Sequence, residues 1–141
     1  MNNSYIKDFD SWNTRIKKLD LEKFEDFFHE REIWWCALGV NVGSEQDGKH
    51  ENFERPVLIL KKVTKDILWV IPFTSKIIDS EYRISTQSTG DTSQLILSQI
   101  RTISSKRLLR KISRLKVLTF YRVVAKLSFI LLGVIQNETP P

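Results

Sequence analysis

Read for its alternation of apolar and polar positions, the chain divides into a helical start, a strand-rich middle and a helical end. Over residues 8–30, Phe9, Trp12, Ile16 and Leu19 recur at spacings of three and four, which places them on one helical face. Phe24, Phe27 and Phe28 extend that apolar surface, and Asp8 and Asp10 stand where carboxylates favour a helix start. The spacing predicts one helix over 8–30, with a break near Asp20. Residues 31–38 alternate differently. Ile33, Trp35 and Ala37 fall on one pleat face and Trp34, Cys36 and Leu38 on the other, so this strand is expected to be covered on both sides.

Residues 42–60 form the stretch around which the middle is organised: a polar, Gly-punctuated loop, then Arg55-Pro56, then an aliphatic strand. Loops held on a rigid sheet are where small domains keep their chemistry. Residues 56–63 and 67–73 are two aliphatic runs around the spacer Thr64-Lys65-Asp66 and predict a hairpin, with Pro56 opening its strand because it has no N–H to donate. Weaker strands are expected at 81–86, 94–97, 99–103 and 111–115, with a polar turn over 87–92 and a helical turn at 104–107. Short strands at such intervals predict a mainly β domain, a small barrel or sandwich.

Residues 116–135 predict a C-terminal helix that is apolar almost all round, with Leu118, Tyr121, Val124, Leu127 and Leu131 along one side. A membrane span is excluded, because Arg122 and Lys126 leave an uncharged stretch far short of the roughly 20 residues a span needs. The tail at 137–141 is expected to fray. The whole is read as one domain over 1–141, made of a helical extension (1–30), a barrel (31–115) and a helix (116–135).

Charge sharpens the picture. Residues 1–91 carry 13 Lys/Arg against 16 Asp/Glu, whereas residues 92–141 carry 9 Lys/Arg and Glu138 alone. That asymmetry suits a polyanionic partner, nucleic acid before a membrane surface, and on charge alone it suits a solvated basic face equally well. A single Cys36 excludes an intrachain disulfide, and the polar start lacks a signal-peptide core, so a cytoplasmic protein is expected.

Several chemistries fail on the residues. Gly43 to Lys49 falls one residue short of a phosphate-binding P-loop, but His50 stands where a hydroxyl is needed, Glu45 and Asp47 would oppose phosphates, and a strand follows in place of a helix. His29, Cys36 and His50 lack metal-ligand spacing, and Cys36 sits in a buried-looking strand, unsuited to a nucleophile. What remains is a set suited to phosphate: Arg55 for bidentate contact, Thr74 and Ser75 for hydroxyl hydrogen bonds, and Glu45 and His50 as titratable groups. Taken singly, Arg55 reads equally as a surface ion pair with Glu54 or Glu45, and Thr74 as an ordinary strand-end hydroxyl.

Three segments in order then resemble a known family. Val42-Gly43-Ser44-Glu45-Gln46 with Arg55-Pro56-Val57-Leu58-Ile59-Leu60, Ile71-Pro72-Phe73-Thr74-Ser75-Lys76, and Leu97-Ser98-Gln99-Ile100-Arg101-Thr102-Ile103 with Lys106-Arg107-Leu108 resemble the MazF/PemK toxins of type II toxin–antitoxin systems. The resemblance implies an SH3-like barrel, usually a homodimer, that cleaves single-stranded RNA without metal or cofactor, leaves a cyclic phosphate and a 5′-OH, and is neutralised by an antitoxin. It implies Arg55, Thr74 and Glu45 as catalytic residues. Ser75, Lys76, His50, Gln99 and Arg101 are expected on the substrate side, the last two also near the dimer interface. The chain departs from the family pattern in a lengthened spacer at 47–54, in the N-terminal helix, and in the apolarity of the C-terminal helix. Reading the residues without the resemblance leaves two alternatives: a non-catalytic nucleic-acid-binding barrel, and a protein- or membrane-surface module built on the last helix.

Overall fold

The computed structural model describes residues 4–136, so the expected fraying at 137–141 lies outside the described residues. Two helices flank seven strands: α1 (Phe9–Leu21), β1 (Glu32–Ala37), β2 (Glu54–Lys62), β3 (Ile67–Thr74), β4 (Arg83–Thr86), β5 (Ser93–Ile96), β6 (Arg101–Ser104), β7 (Leu108–Arg114) and α2 (Val117–Gln136). All pairings are antiparallel. The strand order is β4-β5-β3-β2-β1-β7, with β6 added to β3, so β3 serves three neighbours and curls the sheet into the expected small barrel.

Period-two alternation builds two apolar layers from the same strands. Trp34, Cys36, Val57, Ile59, Leu68, Val70, Ile103 and Leu108 fill one side. Ile33, Leu58, Ile71, Phe73, Leu95 and Leu97 face the other, where Leu115 and Val123 close over them. The two-sided covering expected for residues 31–38 is therefore present. Complete burial of side chains such as Leu58, Leu68 and Ile71 is worth about 1.5–3 kcal/mol each.

The N-terminal helix is shorter than expected. Asp8 caps it by accepting from the Ser11 N–H at 3.0 Å, Asp10 lies in the first turn and Lys18 in the last. It ends at Leu21, with Glu22 already extended. Phe28 is the reason: it is drawn into the barrel layer, and Phe24 packs edge-on against both Phe28 and Trp34 with ring centroids 5.9 Å apart in each case. Continuing the helix would forfeit that burial. Phe27 remains exposed.

The C-terminal helix also turns a different face inward. Val123 is fully buried and Phe120, Leu127 and Ile130 pack against the sheet, while Leu118, Tyr121, Leu131 and Leu132 stay exposed. A helix apolar on every side does not announce its inner face. Among the described residues no helix is long and apolar enough to cross a membrane.

Two strands begin two or three residues earlier than expected. β7 begins at Leu108 rather than 111, giving β1 a longer neighbour. β2 begins at Glu54, so Pro56 is its third residue and pairs with Trp35 of β1. On its other side the β2–β3 ladder ends at Val57↔Pro72, so Pro56 lies beyond the last β3 pair and has a strand neighbour on one side only.

Candidate functional site

The end of that ladder creates the site. Beyond Val57↔Pro72, β3 leaves β2 and pairs with β5 through Phe73↔Leu95 and Thr74↔Gln94. Continuing the register two steps sets Arg55 opposite Thr74, each at the end of an inward row: Val57 and Ile59 on one strand, Leu68 and Val70 on the other. A groove of about 380 Å³ opens between the parted strands. Arg55, Thr74, Ser75 and His50 line it, with Lys49, Trp35, Glu54, Thr89, Asp91 and Ser93.

Arg55 is buried, only 7% exposed. Its Nε donates to the Asp47 carbonyl at 2.6 Å and its Nη1 to the Phe73 carbonyl at 3.1 Å. With the Gln46 amide turned so that its oxygen faces the guanidinium, that oxygen accepts from Nη2 at 2.7 Å. Every one of these partners is a neutral oxygen. Burial pulls the Arg55 pKa below its ordinary value, with the Asp47 and Tyr5 side chains acting the other way. A guanidinium keeps its charge under such a shift, so the groove holds a cation aimed by carbonyls and neutralised by no bound carboxylate. Glu54, its neighbour in sequence, is not its partner. Glu54 instead takes a bidentate pair from Arg110 at 3.0 Å for both contacts, and Arg110 lies over the Trp35 ring at 5.0 Å. The surface ion pair weighed for Arg55 is absent.

Thr74 is also buried. Its Oγ1 accepts from the Lys76 N–H at 3.2 Å, which leaves the hydroxyl hydrogen to donate. Lys76 thus serves Thr74 through its backbone, and its side chain does not line the groove. Ser75 lies at the rim, exposed.

The lengthened spacer folds into a tight hairpin tip. Lys49 and Glu54 exchange N–H···O bonds of 2.9 Å in both directions, and Phe53 N–H returns to the His50 carbonyl at 3.1 Å. His50 and Phe53 both take left-handed backbone, φ 64° and 51°, to make the turn. This tip sets His50 at the groove and lets Phe53 pack on Trp12, ring centroids 5.4 Å apart. Gly48 is required at its base, because a Cβ there would lie 1.7 Å from the Phe53 carbonyl oxygen.

Glu45 sits apart. It lines two hollows on the far side of the loop, one with Tyr5, Lys7 and Arg55 and the other with Gln99 and Arg101. Gln99 fixes the loop from below, accepting from the Gln46 N–H at 3.2 Å and donating to the Ser44 carbonyl at 3.1 Å. Arg101 lies behind it in β6, opposite Val70. So Arg55, Thr74, Ser75 and His50 are brought together, while Glu45, Lys76, Gln99 and Arg101 surround the groove without lining it.

Asp47 was missed by the sequence reading. Its carboxylate accepts from the Asn41 N–H at 2.7 Å and the Tyr5 hydroxyl at 3.2 Å, and stands 3.4 Å from Lys7 Nζ. Part of the basic C-terminal half is engaged locally: Arg110 on Glu54, Lys111 on Glu32, and Lys106 on the Asp20 carbonyl. Cys36 is fully buried, and burial pushes its thiol up to about 12, as expected of a structural cysteine. Among the described residues no three His, Cys, Asp or Glu side chains cluster as metal ligands would.

Comparison with known proteins gives this geometry its context. No curated protein sequence matches the chain. A crystal structure of MazF from Deinococcus radiodurans is similar over 77% of this chain and 99% of its own, at 21% identity and a TM-score of 0.62. The Mycobacterium tuberculosis toxin MazF-mt6 follows over 77% and 100%, at 17% identity and TM-score 0.53. An endoribonuclease in complex with its cognate antitoxin, from Mycobacterial species, is similar over 81% and 100%, at 12% identity and TM-score 0.52. At such identities these likenesses carry the fold alone. The family model for the PemK-like, MazF-like toxin of type II toxin–antitoxin systems matches residues 29–131, and the chain belongs to that family.

Proposed function

We propose that the protein is an endoribonuclease that cuts single-stranded RNA in the groove between β2 and β3. The observation that carries this reading is the buried Arg55 guanidinium, held only by neutral oxygens next to a Thr74 hydroxyl free to donate. RNA brings its own nucleophile. Its 2′ oxygen attacks the adjacent phosphorus, the bond from phosphorus to the 5′ oxygen breaks, and a 2′,3′-cyclic phosphate and a 5′-OH result. Arg55, with N–H groups left after its three carbonyl contacts, takes charge developing on the non-bridging oxygens, and Thr74 donates to the same group. His50, at the groove, accepts the 2′ proton; the departing 5′ oxygen takes one from water. The step needs no metal. Glu45, on the far side of the loop, supports the loop rather than the proton transfer in this scheme.

A homodimer and a cognate antitoxin belong to the same proposal. The family assignment supports the antitoxin, as does the cognate antitoxin bound to the similar Mycobacterial endoribonuclease, and the homodimer is carried by the family resemblance alone.

The test is purified protein with single-stranded RNA in EDTA, with product ends assigned by phosphatase and kinase treatment. Cleavage leaving a 5′-OH, slowed on the order of a hundredfold or more by Arg55→Ala, is the expected result. Absence of cleavage, or equal cleavage by Arg55→Ala, overturns it. Salt-sensitive RNA binding that survives Arg55→Ala without scission would mark a binding module instead.

A further inference from the structure

The N-terminal segment lies outside the region matched by the family, which begins at residue 29. It nevertheless reaches the loop that aims Arg55. Lys7 Nζ donates to the Asn41 carbonyl and, at 2.9 Å, to the Gly43 carbonyl, and pairs with Asp47 at 3.4 Å. The Tyr5 hydroxyl donates to the same carboxylate oxygen that Lys7 faces, Asp47 Oδ2, at 3.2 Å. Asp47 in turn accepts from the Asn41 N–H, closing the loop on itself. The backbone carbonyl of the same Asp47 and the side chain of Gln46 beside it are two of the three groups Arg55 binds, the third being the Phe73 carbonyl of β3. Tyr5, Lys7 and Arg55 also border one hollow of about 310 Å³. Their fields overlap: burial and the Asp47 carboxylate hold the Tyr5 phenol above its ordinary pKa, and the Arg55 cation opposes them.

We infer that Tyr5 and Lys7 are positioning residues for Arg55, acting through Asp47 as a strap that fixes the 41–48 loop, and hence the guanidinium, before RNA arrives. The consequence for catalysis rests on the ribonuclease reading; the mechanical coupling does not. Gln99 holds the loop at Ser44 and Gln46 and a backbone bond ties Gly48 to Gly39, so the freedom that remains is drift of the Asp47 carbonyl relative to Arg55 Nε. A strap on the opposite side removes that freedom. Because neither residue lines the groove itself, the loss should fall on turnover rather than on substrate binding.

The experiment is the Tyr5→Phe/Lys7→Met double variant of the full chain, which removes the hydroxyl and the ammonium while keeping their apolar bodies. Two readouts are taken. In NMR spectra the Arg55 Nε–H resonance, assigned by its loss in Arg55→Lys, should be protected in the wild type and exchange faster with water in the double variant. In RNA cleavage, kcat should fall on the order of tenfold with KM unchanged, since small misplacements of a catalytic group cost rate. An unchanged Nε–H exchange rate overturns the inference whatever the kinetics show. A raised KM at constant kcat also overturns it, because the strap would then be a substrate contact. Faster Nε–H exchange in a protein whose wild type cuts no RNA upholds the strap and refutes only the ribonuclease reading.

Discussion

Gly39 lies directly against Trp12 of the N-terminal helix, and replacing it separates two costs. Its φ is +83°, and a Cβ built there would lie 2.1 Å from Trp12 Cε2. A left-handed backbone costs an L-residue about 1–2 kcal/mol. The clash is additional, because the atom met is a rigid indole ring and not the end of a flexible chain. Overpacking of this kind costs about 1–3 kcal/mol. Gly39→Ala should therefore lose about 2–5 kcal/mol in all, a large share of the ~5–15 kcal/mol that holds a domain together. In a Trp12→Ala background the clash is gone and only the backbone cost of about 1–2 kcal/mol should remain. Urea unfolding followed by far-UV circular dichroism, on all four members of the cycle, measures the coupling. Costs for Gly39→Ala that agree within about 0.5 kcal/mol in the two backgrounds would refute the argument, since independent sites add to that tolerance. The contact matters beyond stability. Gly39 N–H donates to the Phe53 carbonyl and its own carbonyl accepts from Gly48, so the helix presses on the base of the loop that carries His50.

Two further predictions concern titration. Burial raises the Glu32 carboxyl, but Lys111 at 2.9 Å, the His29 N–H and the Trp34 indole outweigh it and leave the pKa below its ordinary value. A depressed carboxyl contributes stability above its unfolded pKa and loses it as pH falls through the folded one, so the gap in Tm between wild type and Glu32→Gln should be full at pH 7 and shrink in acid. Parallel Tm curves from neutral to acid pH would sink that assignment. Cys36, pushed up to about 12 and fully buried, should react with a thiol reagent in native buffer only as fast as the protein unfolds; rapid stoichiometric labelling would contradict its placement.

The legible parts of the fold were those where a pattern has one structural solution. Trp34 and Cys36 against Ile33 and Ala37 could only be a strand buried on both sides, and the two aliphatic runs around Thr64-Lys65-Asp66 could only return as a hairpin. Phe24 and Phe28 were misassigned because a spacing of four satisfies a helix and an extended connector diving into a core equally well. Nothing in 20–30 is a Gly or Pro to mark the change. Arg55, Thr74, Ser75 and His50 were named from type and position and the structure brings them to one groove, whereas the groups that hold Arg55 were not legible. Asp47 acts on Arg55 through its backbone carbonyl, and its carboxylate meets partners from distant Tyr5 and Lys7 that only the fold brings near, so no local residue pattern reveals it. Arg110 and Lys111 read as part of a basic tract until tertiary pairing assigned them to Glu54 and Glu32.

The parting of β2 from β3 has a consequence for how such a site can change. The cleft exists because the ladder stops at Val57↔Pro72 and β3 turns to β5, all of it main-chain geometry anchored in two apolar layers. The residues that fill its mouth hang from that frame on a hairpin tip whose length is independent of it. Changes at 50–53 can therefore exchange the groups at the groove mouth, where His50 stands here, without touching Asp47 and Gly48 or the two strand ends that present Arg55 and Thr74. Specificity and chemistry are housed in separately replaceable parts.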